Sequence, residues 1–318
     1  MEIVLIIALL SALPIIYLIL LQKKGKKSST KSHPPLPAPP GIPIIGNMHQ
    51  FDSSAPHIYL WELSRKYGPL MSLKHGCLPV LVVSSARMAE EVMKNHDLIF
   101  CSRPPMLGQR KLSYNGQDIG LAPYTNQWRE LRKICVLHLL SSKRVQSFRP
   151  IREDEVYRMI QKISRESASS QVTDLTHTLL SLTCTMICRI GFGKRYDEEG
   201  QERKRFHFLI HEARQCHAYG NKLTLNLLFP YRRFLNSTID ATGKHFKFIP
   251  FGAGRRSCPG YYLGLATVEL ALANLLNSFN WGLPSGVKKE DIDTDVLPGL
   301  AMLKKNALRL VAKKRVPS

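Results

Sequence analysis

Ten residues constrain this chain more than any others: Phe251-Gly252-Ala253-Gly254-Arg255-Arg256-Ser257-Cys258-Pro259-Gly260, with a long apolar run behind them. Glycine tolerates positive φ and lets backbone approach closely, so three glycines around one cysteine predict a tight turn. Pro259 suits the first position of a helix, where a missing N–H costs nothing. Cys258 would then stand at a helix N-terminus, whose dipole favours an anionic sulfur. Such a thiolate is a metal ligand, tuned by backbone N–H groups near it. The plainer alternative is a glycine-rich loop around a buried, inert structural cysteine. Phosphate loops do not fit. No Lys-Ser/Thr pair follows the glycines, and Ser257 stands where a dinucleotide motif needs its third glycine.

The stretch reads F-x-x-G-x-R-x-C-x-G, met by Phe251, Gly254, Arg256, Cys258 and Gly260. This pattern resembles the haem-binding signature of cytochromes P450, in which the thiolate pushes electron density onto iron and favours O–O cleavage. The resemblance implies that Cys258 is the axial ligand of a haem b iron. It also implies that Arg256 pairs with a haem propionate and that Phe251 packs near the sulfur. A second motif supports it. Thr125 to Leu140 reads as a helix with Trp128, Leu131, Arg132 and Cys135 on one face. Trp128 and Arg132 are one turn apart, so an indole N–H and a guanidinium can converge on one anion. A Trp packed beside a surface Arg is the alternative. W-x-x-x-R resembles the family helix that binds a propionate.

Residues 2–21 are apolar except for Glu2, Ser11 and Pro14, long enough to span a bilayer as a helix. Lys23, Lys24, Lys26, Lys27 and Lys31 follow, which predicts a retained anchor with the body on the cytosolic side. A cleaved signal peptide would carry its charge before the apolar run. The proline-rich stretch within residues 22–43 predicts a stiff spacer. It resembles the hinge of microsomal P450s, and Ile44-Ile45-Gly46-Asn47 continues that likeness. The implied location is the endoplasmic reticulum membrane, single-pass. Forty-five Lys and Arg against 24 Asp and Glu leave a net charge of +21, which suits an acidic protein or a lipid surface. The basic residues are spread out rather than clustered with aromatics, which argues against nucleic acid. The resemblance implies NADPH–cytochrome P450 reductase as partner. The seven cysteines form no C-x-x-C pair, which argues against a disulfide framework or zinc site. Cys184 and Cys188 read as small core residues.

Along the chain, periodicity predicts a helix from His57 to Tyr67, then strands at Leu70–Leu73 and Leu78–Val83 joined at His75-Gly76. A helix capped by Ser84 or Ser85 runs to Asn95, and Phe100 to Pro123 reads as a loop; in the resembled family this loop helps enclose the substrate, which implies Met106 and Leu107 as pocket-lining residues, the alternative being an ordinary surface loop. Pro150 opens a helix whose first turns hold Glu153, Asp154 and Glu155, with Val156, Met159, Ile160 and Ile163 as its buried stripe. Asp174 caps the next helix, whose apolar positions include Leu175, Leu179, Leu182 and Met186, and Gly191 and Gly193 end it. Phe206, Leu209, Ile210 and Ala213 mark a further helix. Tyr261 to Phe279, apolar nearly all round, reads as a buried helix. Short strands are expected at Leu297–Met302 and Ala307–Val311.

The predicted organisation is an anchor (2–21), a basic and proline-rich hinge (22–43), an N-terminal part of a P450-like domain (44–215), an atypical junction (216–232) and a haem-binding C-terminal part (233–318). The fold class is mainly α with small β-sheets, P450-like, plus the N-terminal transmembrane helix. The family's central oxygen-activating helix, with a pattern like A-G-x-D-T, is missing, as is its E-x-x-R pair. Glu62/Arg65, Glu155/Arg158 and Glu202/Arg205 meet that spacing in places the family uses otherwise. Without the central helix, the helix after Cys258 is expected to expose an apolar face. The resemblance implies a haem-thiolate monooxygenase acting on a small lipophilic substrate. The alternative is a truncated, inactive, membrane-anchored protein that binds haem or a partner.

Overall fold

The computed structural model describes residues 35–52, 56–104, 113–196, 200–201, 205, 244–293, 295–297 and 303–315. The apolar run 2–21 and its lysines, Met106 and Leu107, the helix expected at Phe206 to Ala213, the junction 216–232 and residues 298–302 lie outside them. The described residues are mainly helical with three small sheets, and the chain divides into two compact units.

The first unit comprises Met1–Asp52 and Ile58–Met88. Helix α1 (Pro56–Tyr67) leads into an antiparallel hairpin of β1 (Leu70–His75) and β2 (Leu78–Val83), with Leu70 opposite Val83 and His75 opposite Leu78. Met71, Leu73 and Val82 are buried under Leu60, Leu63 and Tyr67 of the helix. Asn47 ties the proline-rich stretch to this hairpin. Its amide donates to the Pro39 and Pro40 carbonyls at 3.3 and 3.2 Å, and its Oδ1 accepts the Lys74 N–H at 2.8 Å. Gly46, at φ +66°, lies so close to Lys74 that a Cβ would meet the Lys74 carbonyl. The Gly46-Asn47 pair is therefore a joint between spacer and sheet.

The second unit comprises Ser53–His57 and Ala89–Ser318. Helix α2 (Ala86–Glu90) starts where Ser85 Oγ accepts the Met88 N–H and widens into a π-helical turn at Glu91–Asn95, followed by α3 (Asp97–Phe100). Helix α4 (Asn126–Cys135) is capped by Thr125, whose Oγ1 accepts the Trp128 N–H at 3.1 Å, and passes into a second π-helical turn at Val136–Leu140. After α5 (Ser142–Ser147), α6 (Arg149–Ala168) starts with Pro150 in its first turn. Asp174 caps α7 (Leu175–Phe192) by accepting the His177 N–H, and Gly193 closes it at φ +67°. Gly191 lies inside that helix. Helix α8 (Tyr261–Ser278) follows the cysteine turn.

The core of this unit joins Val156, Met159 and Ile163 of α6 to Leu175, Leu182 and Met186 of α7 and Ala271 and Leu275 of α8. A three-stranded sheet closes it. Strand β7 (Arg309–Lys314) runs antiparallel between β3 (Thr173–Asp174) and β4 (Phe279–Gly282). The expected buried helix thus stops at Ser278, and Phe279, 1% exposed, turns into a strand and packs edge-on to Trp281. Strands β5 (Val296–Leu297) and β6 (Leu303–Lys304) make a separate ladder. Asp293 holds Lys304 and Asn306 beside it, both at 2.9 Å. Helix α7 is the one described helix long and apolar enough to cross a membrane, but seven of its residues are buried in this protein.

The acids of α6 stand in its second turn rather than its first. Glu155, 4% exposed, instead accepts from Arg189 at 2.6 Å and Arg195 at 3.0 Å, while Asp154 accepts from Arg158 and Arg189. Hydrogen bonds from Arg189 and then Arg158 hold the Asp154 carboxyl below its usual range. Two carboxylates facing two arginines across the α6–α7 contact outweigh a dipole that fades within one turn. Helix α8 is buried on one side only and exposes the apolar face expected of it. Val268, Leu272 and Leu276, four residues apart and so on one face, are each more than half exposed. Leu179 and Ile187 give α7 a similar stripe.

Phe279→Ala is expected to lower unfolding stability by about 3–5 kcal/mol in chemical denaturation, because it empties the floor of the core. Leu272→Gln with Leu276→Gln is expected to raise the concentration at which the protein stays dispersed, read by sedimentation, with unfolding stability changed by less than about 0.5 kcal/mol. Lys304 and then Asn306 pull the Asp293 pKa from 3.8 to about 2. Its contribution to stability is therefore full above the ordinary value and is lost as pH falls through about 2. Asp293→Asn should flatten that part of the acid-unfolding curve.

Candidate cofactor site

The cysteine turn lies wholly in the second unit. It is built from hydrogen bonds within ten residues. The Gly252 N–H donates to Ile249, a short 3-10 turn spans Gly254–Arg256, the Ser257 N–H donates to Gly254 at 3.1 Å, and the Cys258 N–H donates to the Phe251 carbonyl at 2.8 Å. Gly252 and Gly254 stand at φ +69° and +68°. Gly254 is irreplaceable for a second reason, since a Cβ there would meet the Met93 carbonyl in the π-helical turn. Gly260 is different. At φ −87° it is the N-cap of α8, and a Cβ would only touch Cys258 Sγ at 3.9 Å. The helix begins at Tyr261, so Pro259 lies just outside it rather than at its first position. The Phe251 ring packs edge-on to Tyr261, with centroids 5.0 Å apart, and reaches Gly264. Cys258 is exposed, which removes the reading of a buried structural cysteine.

The two adjacent arginines differ in their partners. Arg255 pairs with Asp97 at 2.9 Å, and that bond raises its pKa. Arg256 donates to neutral carbonyls: Cys101 at 2.8 Å, Ala122 at 2.5 Å and, at the limit of a bond, Ile119 at 3.5 Å. Its guanidinium lies 4.0 Å from the centroid of the Trp128 ring. Burial first, and then Arg103 and Arg132, pull its pKa below the usual guanidinium value, to about 10. Arg132 donates to the Ser257 carbonyl at 2.6 Å, beside Cys258. Burial lowers its pKa as well, opposed by the Cys258 and Cys135 thiols.

The residues singled out by two distant motifs are therefore brought together. Trp128, Arg132, Arg256 and Cys258 form one cluster. One detail differs from expectation. The indole N–H of Trp128 does not point with Arg132 at a shared anion but donates to the Ile119 carbonyl at 2.8 Å. The carbonyls of Cys101, Ile119 and Ala122 are invisible to sequence reasoning, because every residue carries one. Asp97 offers no motif either.

The cluster suits a group with anionic carboxylates and a thiolate-seeking metal. Arg103, Arg132 and Arg256 crowd a partly desolvated space in which Arg256 bonds neutral acceptors, so an incoming carboxylate gains charge-assisted bonds. Cys258, exposed, stands next to that positive charge. A cavity of about 600 Å³ elsewhere, lined by residues such as Asp174, Ile292, Asp293, Lys304 and Leu308, lacks such chemistry. Its Asp174 caps α7 and its Asp293 is held by Lys304.

Comparison with known proteins agrees with the geometry. The family described as Cytochrome P450 matches residues 35–228 and 227–311. A 6,7,8-trihydroxycoumarin synthase of Pastinaca sativa is 30% identical over 495 aligned positions, covering 96% of this chain and 98% of that protein. Cytochrome P450 71B36 of Arabidopsis thaliana is 29% identical, covering 87% of this chain and 93% of its own. A 5-OH-xanthotoxin synthase of Pastinaca sativa is 29% identical, with 98% and 99% covered. An alignment of 495 positions exceeds the 318 residues of this chain, so the relative's extra positions face gaps. With a thiol turn, an arginine cluster and matches along nearly its whole length, the chain belongs to the cytochrome P450 family as a shortened relative of plant enzymes.

Proposed function

We propose that this chain is a haem-thiolate protein of the monooxygenase line. Cys258 ligates the iron of haem b, and Arg256 and Arg132 supply the positive charge that receives its propionates. Trp128 supports both guanidinium groups, Phe251 walls the sulfur, and Gly254 and Gly260 shape the turn. When bound, the haem supplies the iron chemistry by which this family activates dioxygen. The observation that carries the reading is that Arg132, bonded to the Ser257 carbonyl, and Arg256, two residues before Cys258, meet at the Trp128 ring. The names of two relatives, a trihydroxycoumarin synthase and a 5-OH-xanthotoxin synthase, support oxygen insertion into a small lipophilic substrate.

The residues of this chain have three tasks in that reading. The Gly252–Gly260 turn presents a sulfur beside the Arg132 guanidinium, which bonds the preceding Ser257 carbonyl. The arginines orient the carboxylate edge of the cofactor. The apolar run 2–21 anchors the body at the endoplasmic reticulum membrane, facing the cytosol, where a +21 charge favours encounter with an acidic NADPH–cytochrome P450 reductase.

A second reading, a haem-binding protein without turnover, has its own support. The family matches in two blocks that meet at residues 227–228, inside the junction 216–232. The open faces of α7 and α8 are where a further helix would pack. Loss of the central helix removes the distal donors that decide between binding and activating oxygen.

The reduced, carbon-monoxide-treated membrane fraction is expected to give a haem-thiolate absorption band, absent in Cys258→Ala. An equal band in that variant would refute the assignment of the ligand. NADPH oxidation coupled to product formation separates an enzyme from a silent haem protein. Gly254→Ala is expected to lower haem content at least about tenfold in the same spectra, because the added methyl meets backbone at a left-handed position.

A further inference from the structure

The π-helical turn Glu91–Asn95 and α3 pack on the cysteine turn and meet it at three points in step. Three consecutive residues of the turn, Gly254, Arg255 and Arg256, face Met93, Asp97 and Cys101, which stand four apart. Gly254 lies against the Met93 carbonyl. Arg255 Nε pairs with Asp97 Oδ2 at 2.9 Å. Arg256 Nε donates to the Cys101 carbonyl at 2.8 Å. Two of the three partners are backbone oxygens. Among the described residues, Asp97 is the one member of this run whose side chain bonds the turn. We infer that Asp97 is a positioning residue for the axial sulfur: its carboxylate clamps Arg255, and the clamped turn holds Cys258 in place beside the arginine cluster.

The physical reason is the softness of the turn on this side. Gly252 and Gly254, both at positive φ, have more backbone freedom to lose than any other residue type. The bonds inside the turn, from the Ser257 and Cys258 N–H groups, close it on itself and do not tie it to a neighbour. Arg132 reaches it from α4, at the Ser257 carbonyl. Asp97 reaches it from α3, at Arg255, on the other side of Arg256 in the chain. Apart from Asp97, Arg255 has the Tyr124 hydroxyl at 3.5 Å, the limit of a bond. The Asp97 side chain is 19% exposed and that of Arg255 is 44% exposed, so the pair stands partly in water. A pair of that kind adds little to overall stability, yet its charge-assisted bond still fixes the direction of the groups it joins. Loss of the carboxylate therefore loosens the turn before it loosens the fold.

The arm of the test read on pigment rests on the haem-thiolate reading, whereas the arm read on the cofactor-free chain does not. Asp97→Asn keeps the shape of the side chain and removes its charge. Asp97→Arg combined with Arg255→Asp restores the pair in reverse. Two quantities are measured in the full chain. One is hydrogen–deuterium exchange of the amides of residues 252–260 without cofactor. The other is the share of reduced, carbon-monoxide-treated pigment that carries the haem-thiolate band rather than a thiolate-free one. Asp97→Asn is expected to speed exchange about threefold and to lower that share by a similar factor, the scale of a partly exposed ion pair, with the unfolding midpoint unmoved. The reversed pair is expected to regain at least about half of both losses. Raised salt screens such a pair, so it should speed exchange in the parent and leave Asp97→Asn unaltered. The inference is wrong if Asp97→Asn exchanges as slowly as the parent, or if the reversed pair does no better than Asp97→Asn. Should the reversed pair fail to fold, salt decides, and an equal response of parent and Asp97→Asn overturns the inference. If exchange quickens while the thiolate share stays, the pair steadies the turn without placing the sulfur, and the inference fails as well. If the parent takes up no haem, the haem-thiolate reading fails, and exchange alone decides the role of Asp97.

Discussion

The site depends on a half-buried positive charge that bonds no carboxylate among the described residues. Arg256 reaches back across more than a hundred residues of chain to the Cys101 and Ala122 carbonyls and the Trp128 ring. A guanidinium in that position gathers the nearest electron density available, which here is three backbone oxygens and one indole. This requirement fixes Cys101, Ile119, Ala122 and Trp128 against the cysteine turn. It also leaves the cluster electrically incomplete, because Arg103 and Arg132 add like charge. An anionic group is the natural completion, and the cysteine beside it gives that group a second point of attachment.

Much of this is legible in the sequence, for identifiable reasons. The glycines of the cysteine turn reflect a backbone demand, and Gly252 and Gly254 do adopt positive φ. The cap at Asp174 can be read because an Asp side chain accepts from a nearby N–H group, and it does so here. The hairpin register follows from alternation, with Met71 and Leu73 inward. What escapes reading depends on distance along the chain. The ionic seam between α6 and α7, Glu155 with Arg189 and Arg195, joins residues 34 and 40 positions apart and has no local pattern. The indole N–H of Trp128 reads as an anion donor because spacing shows which residues can meet, not which neutral oxygen is nearer. The two π-helical turns, at Glu91–Asn95 and Val136–Leu140, leave no mark in the residue pattern.

The open faces of α7 and α8 bear on what a shortened P450 can keep. The core among α6, α7, α8 and the three-stranded sheet is closed by Phe279, Ile163 and Ala312, all almost fully buried. Each of α7 and α8 buries apolar side chains on the side toward α6 and leaves others in solvent, namely Val268, Leu272, Leu276, Leu179 and Ile187. Cofactor-side chemistry and helix packing therefore separate in this chain. The cysteine turn draws its partners from residues 93–132, while the exposed stripes lie on faces that those partners do not use.

The reach of Arg256 sets an order of events at the ribosome. Helix α4 and the loop before it leave the exit tunnel long before their guanidinium exists. At roughly 5–20 residues per second, the wait is on the order of ten seconds. During that interval the indole has its Thr125 cap within reach but not the Arg256 cation. In the haem-thiolate reading, pigment capture waits until Arg256 and Cys258 have emerged, and the newborn chain passes through this interval with its cofactor seat half built.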